Sequence, residues 1–195
     1  MRVAIDPGHG MSNRQRGRFD PGAVHIEDGF QHEEAAIVLK YGLILKDIFR
    51  SRGHDVFMTR DDAEDHAPVG MRAQNANDAG CDVFISLHLN DFDDDTATGL
   101  EVLFREPDDK QFAQDLQTKL VAVTGFKDRG IKKREDLAVL KFNGPAALIE
   151  LGFIANDKNR DVLLNPQKRT AICEAIASVT IARFGQRVRA ADTTS

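Results

Sequence analysis

The run Asp82-Val83-Phe84-Ile85-Ser86-Leu87 constrains the fold of this chain more than any other segment. It is short, almost continuously apolar and rich in β-branched and aromatic residues. A strand of this kind is buried on both faces, so its sheet needs cover on each side. Helical spacing supplies that cover. Ile37, Tyr41, Ile44, Leu45 and Ile48 recur at helical intervals between Glu33 and Arg50, and Gly53 stops the helix. Further helices are predicted over Val69–Ala79, Lys110–Val123, Asp157–Leu164 and Gln167–Phe184, the last with Pro166 at its start. Further strands are predicted over Val3–Ile5, His54–Thr59, Leu100–Phe104, Leu137–Leu140 and Ala146–Leu151, and Met11 to Gly22 reads as a polar, Arg-rich loop. The alternation predicts an α/β fold. It is a three-layer sandwich, with a roughly six-stranded, mostly parallel mixed sheet and helices on both faces.

With 195 residues, 42% of them hydrophobic, the chain has room for one domain with a real core. We place that domain at 1–186, followed by a polar tail at 187–195. Two cysteines, Cys81 and Cys173, exclude a disulfide scaffold. No apolar run approaches the ~20 residues of a membrane-spanning helix. The net charge of −5 argues against nucleic acid as a partner, because phosphate contact leaves a basic footprint. The opening Met1-Arg2-Val3-Ala4-Ile5 lacks the apolar core of a secretory signal. The expectation is a monomer that accumulates in a cytoplasm.

Chemistry-bearing residues gather at strand ends, where ligands bind in open α/β sheets. His9 follows the first predicted strand and His88 follows the third. Glu150 lies inside Ala-Ala-Leu-Ile-Glu-Leu-Gly-Phe-Ile, an apolar setting where an unpaired charge is costly. Glu33 and Glu34 open the first long helix, where carboxylates also suit the helix dipole. Two imidazoles and one carboxylate form a donor set that suits zinc, with a fourth position left for water. Zinc lowers the pKa of such a water from about 15.7 towards 7. A further carboxylate then serves as base and afterwards as acid. Spacing alone leaves Glu33 and Glu34 as alternatives.

The chain also resembles a known family. The resemblance is carried by Asp6-Pro7-Gly8-His9-Gly10, Asp20-Pro21-Gly22-Ala23, Glu34 five residues before Leu39, and Thr59-Arg60-Asp61. It continues through Arg72, Ser86-Leu87-His88-Leu89-Asn90, Gly99-Leu100-Glu101-Val102, Arg129-Gly130-Ile131 and Glu150-Leu151-Gly152-Phe153-Ile154-Ala155-Asn156. In that order these pieces resemble the zinc N-acetylmuramoyl-L-alanine amidases of the amidase 3 type, from about residue 2 to about residue 184. The resemblance implies one zinc ion held by His9, Glu34 and His88, with Glu150 as the catalytic carboxylate. It also implies peptidoglycan as substrate, cut between N-acetylmuramic acid and L-alanine. Asn90, Arg72 and Arg129 are the candidate substrate-binding residues.

Two departures from the family pattern stand out. Met11–Phe19, with Arg14, Arg16 and Arg18, separates the first two motifs. It reads either as a surface insertion or as a set of cations for anionic peptidoglycan. Only Asp91–Thr98 separate Asn90 from Gly99, too few for the inhibitory helix of periplasmic division amidases. With no export signal read, the expectation is an endolysin released from the host cytoplasm to the wall. The alternatives are the catalytic domain of an exported bacterial amidase and a non-catalytic peptidoglycan-binding homologue.

Overall fold

The computed structural model describes residues 1–11, 15, 17–92 and 95–185. Arg14, Arg16, Asp93, Asp94 and the predicted tail 187–195 lie outside those residues. Six strands form the main sheet: β1 (Arg2–Pro7), β6 (Asp55–Met58), β7 (Val83–Asn90), β8 (Leu100–Phe104), β9 (Asp128–Lys133) and β10 (Ala146–Phe153). Their order is β6-β1-β7-β10-β8-β9. The first four run parallel, β10 pairs antiparallel with β8, and β9 runs parallel to β8. Two small hairpins lie in the connection after β1: β2 (Gly10–Met11) with β3 (Phe19–Asp20), and β4 (Val24–Glu27) with β5 (Phe30–Glu33).

The pleat sorts the side chains of β7 between two cores. Val83, Ile85, Leu87 and Leu89 are buried against α1 (Glu34–Ser51), α3 (Lys110–Thr124), α4 (Asp157–Leu164) and α5 (Pro166–Phe184). Phe84 turns to the opposite face with Ala4, Ala146 and Leu148, beneath α2 (Arg72–Asp78) and a turn of 3₁₀ helix at Ala138–Leu140. Counting by twos along the strands puts Ser86 and His88 of β7, and Glu150 of β10, on this second, thinly covered face. The expected three layers are therefore present, but unequal in thickness.

Two sequence expectations need correction. Leu137–Leu140 is not a strand: it forms the 3₁₀ turn, with Val139 and Leu140 packed beside Phe142 in the second core. The sixth strand is β9, whose Asp-Arg-Gly-Ile-Lys-Lys carries one apolar side chain because it is the edge of the sheet. Edge strands use charge to resist further pairing, and that masks their β pattern. His88 also lies within its strand, since β7 continues to Asn90.

Candidate metal centre and active site

The site begins where β1 runs out. Asp6 is fully buried and accepts hydrogen bonds from the Thr59 hydroxyl (2.7 Å), the Ser86 hydroxyl (2.6 Å) and Arg72 Nη1 (2.9 Å). Burial works against its charge, but Arg72 and the two hydroxyls hold its pKa below the usual carboxylate value. Arg72 also donates to the carbonyls of Pro7 (3.1 Å) and His9 (2.6 Å). Arg60 donates to those of Pro7 (3.0 Å), Gly8 (2.8 Å) and Ala35 (2.7 Å). Two buried guanidinium groups thus grip the backbone from beneath. They hold His9 at a φ of 62°, a left-handed conformation that non-glycine residues seldom adopt. This corrects the reading of Arg72 as a substrate-binding residue: it is 1% exposed and its donors face the protein.

Glu34 opens α1 and points at both histidines. Its Oε1 lies 3.1 Å from His9 Nε2 and 3.0 Å from His88 Nδ1, and accepts the Leu89 N–H at 2.9 Å. Its Oε2 accepts the Ala23 N–H at 2.9 Å. Burial would raise its pKa, but the histidines pull it well below the usual carboxylate range. Glu33 faces elsewhere and accepts a hydrogen bond from Gln31. The structure therefore separates the two glutamates that spacing left open.

The pocket among these side chains fits a small cation such as zinc. Ligand atoms of His9, Glu34 and His88 all lie within 4.8 Å of one another. His88 Nε2 is buried without a hydrogen-bond partner. Close packing keeps the surrounding wall free of side chains. A Cβ on Gly8 would lie 2.3 Å from His88 Cε1, and one on Gly22 would lie 2.6 Å from Glu34 Oε2. Two nitrogen donors and a carboxylate make a set that zinc accepts.

Asp20 is a component that sequence reasoning missed. Its Oδ2 lies 3.1 Å from His9 Nδ1, and its Oδ1 accepts the Gly22 N–H at 3.0 Å. A carboxylate on the second nitrogen of a ligand histidine fixes the ring and raises its basicity. Burial lowers the His9 pKa, but Glu34 and Asp20 together raise it above its ordinary value. The signal was present in Asp20-Pro21-Gly22, but it acquires meaning only once β2 and β3 fold the segment back onto His9.

Glu150 stands directly opposite His88 in the parallel ladder, and opposite Glu101 in the antiparallel one. Its Oε2 is buried without a partner. Burial, reinforced by the charges of Glu34 and Glu101 and opposed by the two histidines, pushes its pKa up to about 7. Glu101 is neutralised by Arg129 Nε (2.9 Å) and Lys132 Nζ (2.5 Å). Arg129 also lies 4.9 Å above the Phe153 ring, so it forms part of the wall beside Glu150. Asn90 ends β7, and its buried Nδ2 has no partner. Burial pushes both thiols up, Cys81 to about 11, which argues against a cysteine nucleophile.

Comparison with known proteins identifies the family. A family model described as N-acetylmuramoyl-L-alanine amidase matches residues 3–181. The probable cell wall amidase LytH of Staphylococcus saprophyticus is 26% identical over 94% of the chain, which spans 58% of LytH. The solved catalytic domain of CwlV, an N-acetylmuramoyl-L-alanine amidase from Bacillus (Paenibacillus) polymyxa, superposes with a TM-score of 0.84 at 26% identity, covering 94% of this chain and 98% of that one. An N-acetylmuramoyl-L-alanine amidase from Clostridium difficile 630 gives 0.83 at 27% identity, covering 94% and 96%. With the match running from β1 to α5, this chain belongs to the N-acetylmuramoyl-L-alanine amidase family.

Proposed function

We propose that this chain is the catalytic domain of a zinc-dependent peptidoglycan amidase, cutting the bond between N-acetylmuramic acid and the L-alanine of the stem peptide. The observation that carries this reading is the placement of Glu150 across the ladder from His88. It sets a buried carboxyl, whose Oε2 has no hydrogen-bond partner among the described residues and whose pKa is pushed up to about 7, beside a His-Glu-His cluster. His9, Glu34 and His88 would hold the ion, which supplies Lewis acidity when bound. Glu150 does the proton work. As carboxylate it takes a proton from the attacking water, and as acid it returns that proton to the departing alanine nitrogen. A group titrating near 7 is matched to both halves of that cycle. Asp20 keeps the His9 ring in orientation throughout.

The test is digestion of purified sacculi, with mass spectrometry of the products. The reading expects stem peptides with free L-alanine amino termini, and loss of activity on chelation that added zinc restores. Intact glycan–peptide linkages after prolonged digestion with zinc would overturn it.

For the cellular setting we propose an endolysin. The support is the Asp91–Gly99 connection, which is too short to lay a blocking helix over the site. The relatives named above are bacterial amidases, and a bacterial wall enzyme fits the same fold. A prophage lysis cassette around the gene, with a holin, would support the endolysin. A wall-synthesis or sporulation cluster would refute it.

A further inference from the structure

A cavity of about 510 Å³ opens beside the His9–Glu34–His88 cluster, lined by His9, Gln15, Arg18, Phe19, Asp20 and Pro21. It lies within the size range of small-ligand sites. His9 forms one wall, so whatever occupies the cavity lies next to the reacting centre. Among the described residues, four other cations around the site are engaged. Arg60 and Arg72 are buried on backbone carbonyls, and Arg129 and Lys132 neutralise Glu101. Arg18 differs: it is exposed, it lines the cavity, and it has no ion-pair partner among the described residues. The one carboxylate on that wall, Asp20, is engaged by His9 and the Gly22 amide. A guanidinium without an ion-pair partner among the described residues, in a cavity that Phe19 also lines, is suited to the planar fork of a carboxylate on a short peptide.

We propose that this cavity is a subsite for the stem peptide and that Arg18 binds one of its free carboxylates. Arg18 is then a specificity-determining residue, which tells an acidic stem from one whose carboxylate is amidated. This rests on the amidase reading and adds to it the charge of the preferred substrate. The segment between β1 and the second motif, read above either as an insertion or as a set of cations, acquires a role through Arg18.

The test is a four-way binding comparison, so it does not depend on turnover. Wild-type protein and Arg18→Gln, each with zinc supplied, are titrated with a muramyl peptide bearing a free side-chain carboxylate and with its carboxamide counterpart. We expect Arg18→Gln to weaken binding of the free carboxylate by about tenfold, as befits one charge-assisted contact. Binding of the amide should change less than twofold. Equal losses on both ligands, or none on either, would overturn the subsite. If the wild type binds the pair with the expected preference but never cleaves, the amidase reading fails and the subsite stands.

Discussion

His88 and Glu150 are cross-strand neighbours although 62 positions separate them, because β7 and β10 lie side by side and in register. The ladder places the Glu150 carboxyl beside His88 independently of any loop, which on the proposed reading sets a proton carrier next to a metal ligand. Glu150→Gln should therefore preserve the shape and remove the proton carrier. We expect turnover of sacculi to fall about 10²–10⁴-fold, with zinc content and thermal midpoint near wild type. Near-normal turnover would remove Glu150 from the reaction.

Glu34 reaches both histidines through a single oxygen. Glu34→Ala should lose bound zinc, as should His88→Ala, and metal analysis after dialysis reads this directly. A stoichiometric ion in either variant would contradict the ligand set.

Asp20 touches His9 Nδ1, so on the proposed reading it would act on the metal through that ring. In Asp20→Asn the ring keeps a neighbour of the same size but loses the charge beside Nδ1. Zinc affinity should fall about 10–100-fold, as it does when such outer partners are changed. Competition against a chromophoric chelator measures this without reference to activity. An unchanged affinity would show Asp20 to be a bystander.

Gly22 has a φ of 69°, and its missing side chain leaves room for Glu34 and His9. Gly22→Ala incurs both backbone strain and a collision with Glu34 and His9. We expect a stability loss of more than about 1 kcal/mol in denaturant titration, accompanied by weaker zinc binding. A variant that kept both would show that the wall can give way.

Asp6 and Arg72 give the fold an acid limit. The folded-state pKa of Asp6 lies below its ordinary value of 3.8. Its contribution is thus complete above that value and is lost as pH falls through the folded pKa. Denaturation series should show stability falling in that acid range. Arg72→Met should cost about 3–5 kcal/mol at neutral pH, by leaving a buried carboxylate without its cation. It should also flatten the acid slope. A variant as stable as wild type would mean that Asp6 is satisfied by its hydroxyl partners alone.

Much of this was legible in the residues, and the remainder shows where local pattern stops. Helix α1 announced itself because its apolar residues repeat at helical intervals and Gly53 ends it. The continuous apolar run of β7 gave away the two-sided burial of the sheet. Strand order was not legible, since nothing local in Glu150 names His88 as its neighbour. β9 was hidden by its own charge, and Leu137–Leu140 mimicked a strand because a 3₁₀ turn can bury an equally apolar run. Arg72 looked like a ligand-binding cation, for a guanidinium on a carbonyl and one on a substrate are the same letter. Asp20 waited on a hairpin whose strands are two residues each.

The two arginines beneath the Pro7–His9 backbone bear on how the proposed metal site is made ready. They hold the His9 backbone by bonds to carbonyls that owe nothing to an ion. The bonds that shape this turn are all to protein carbonyls. On the proposed reading, a cation would meet ligands already in place, with no second act of folding.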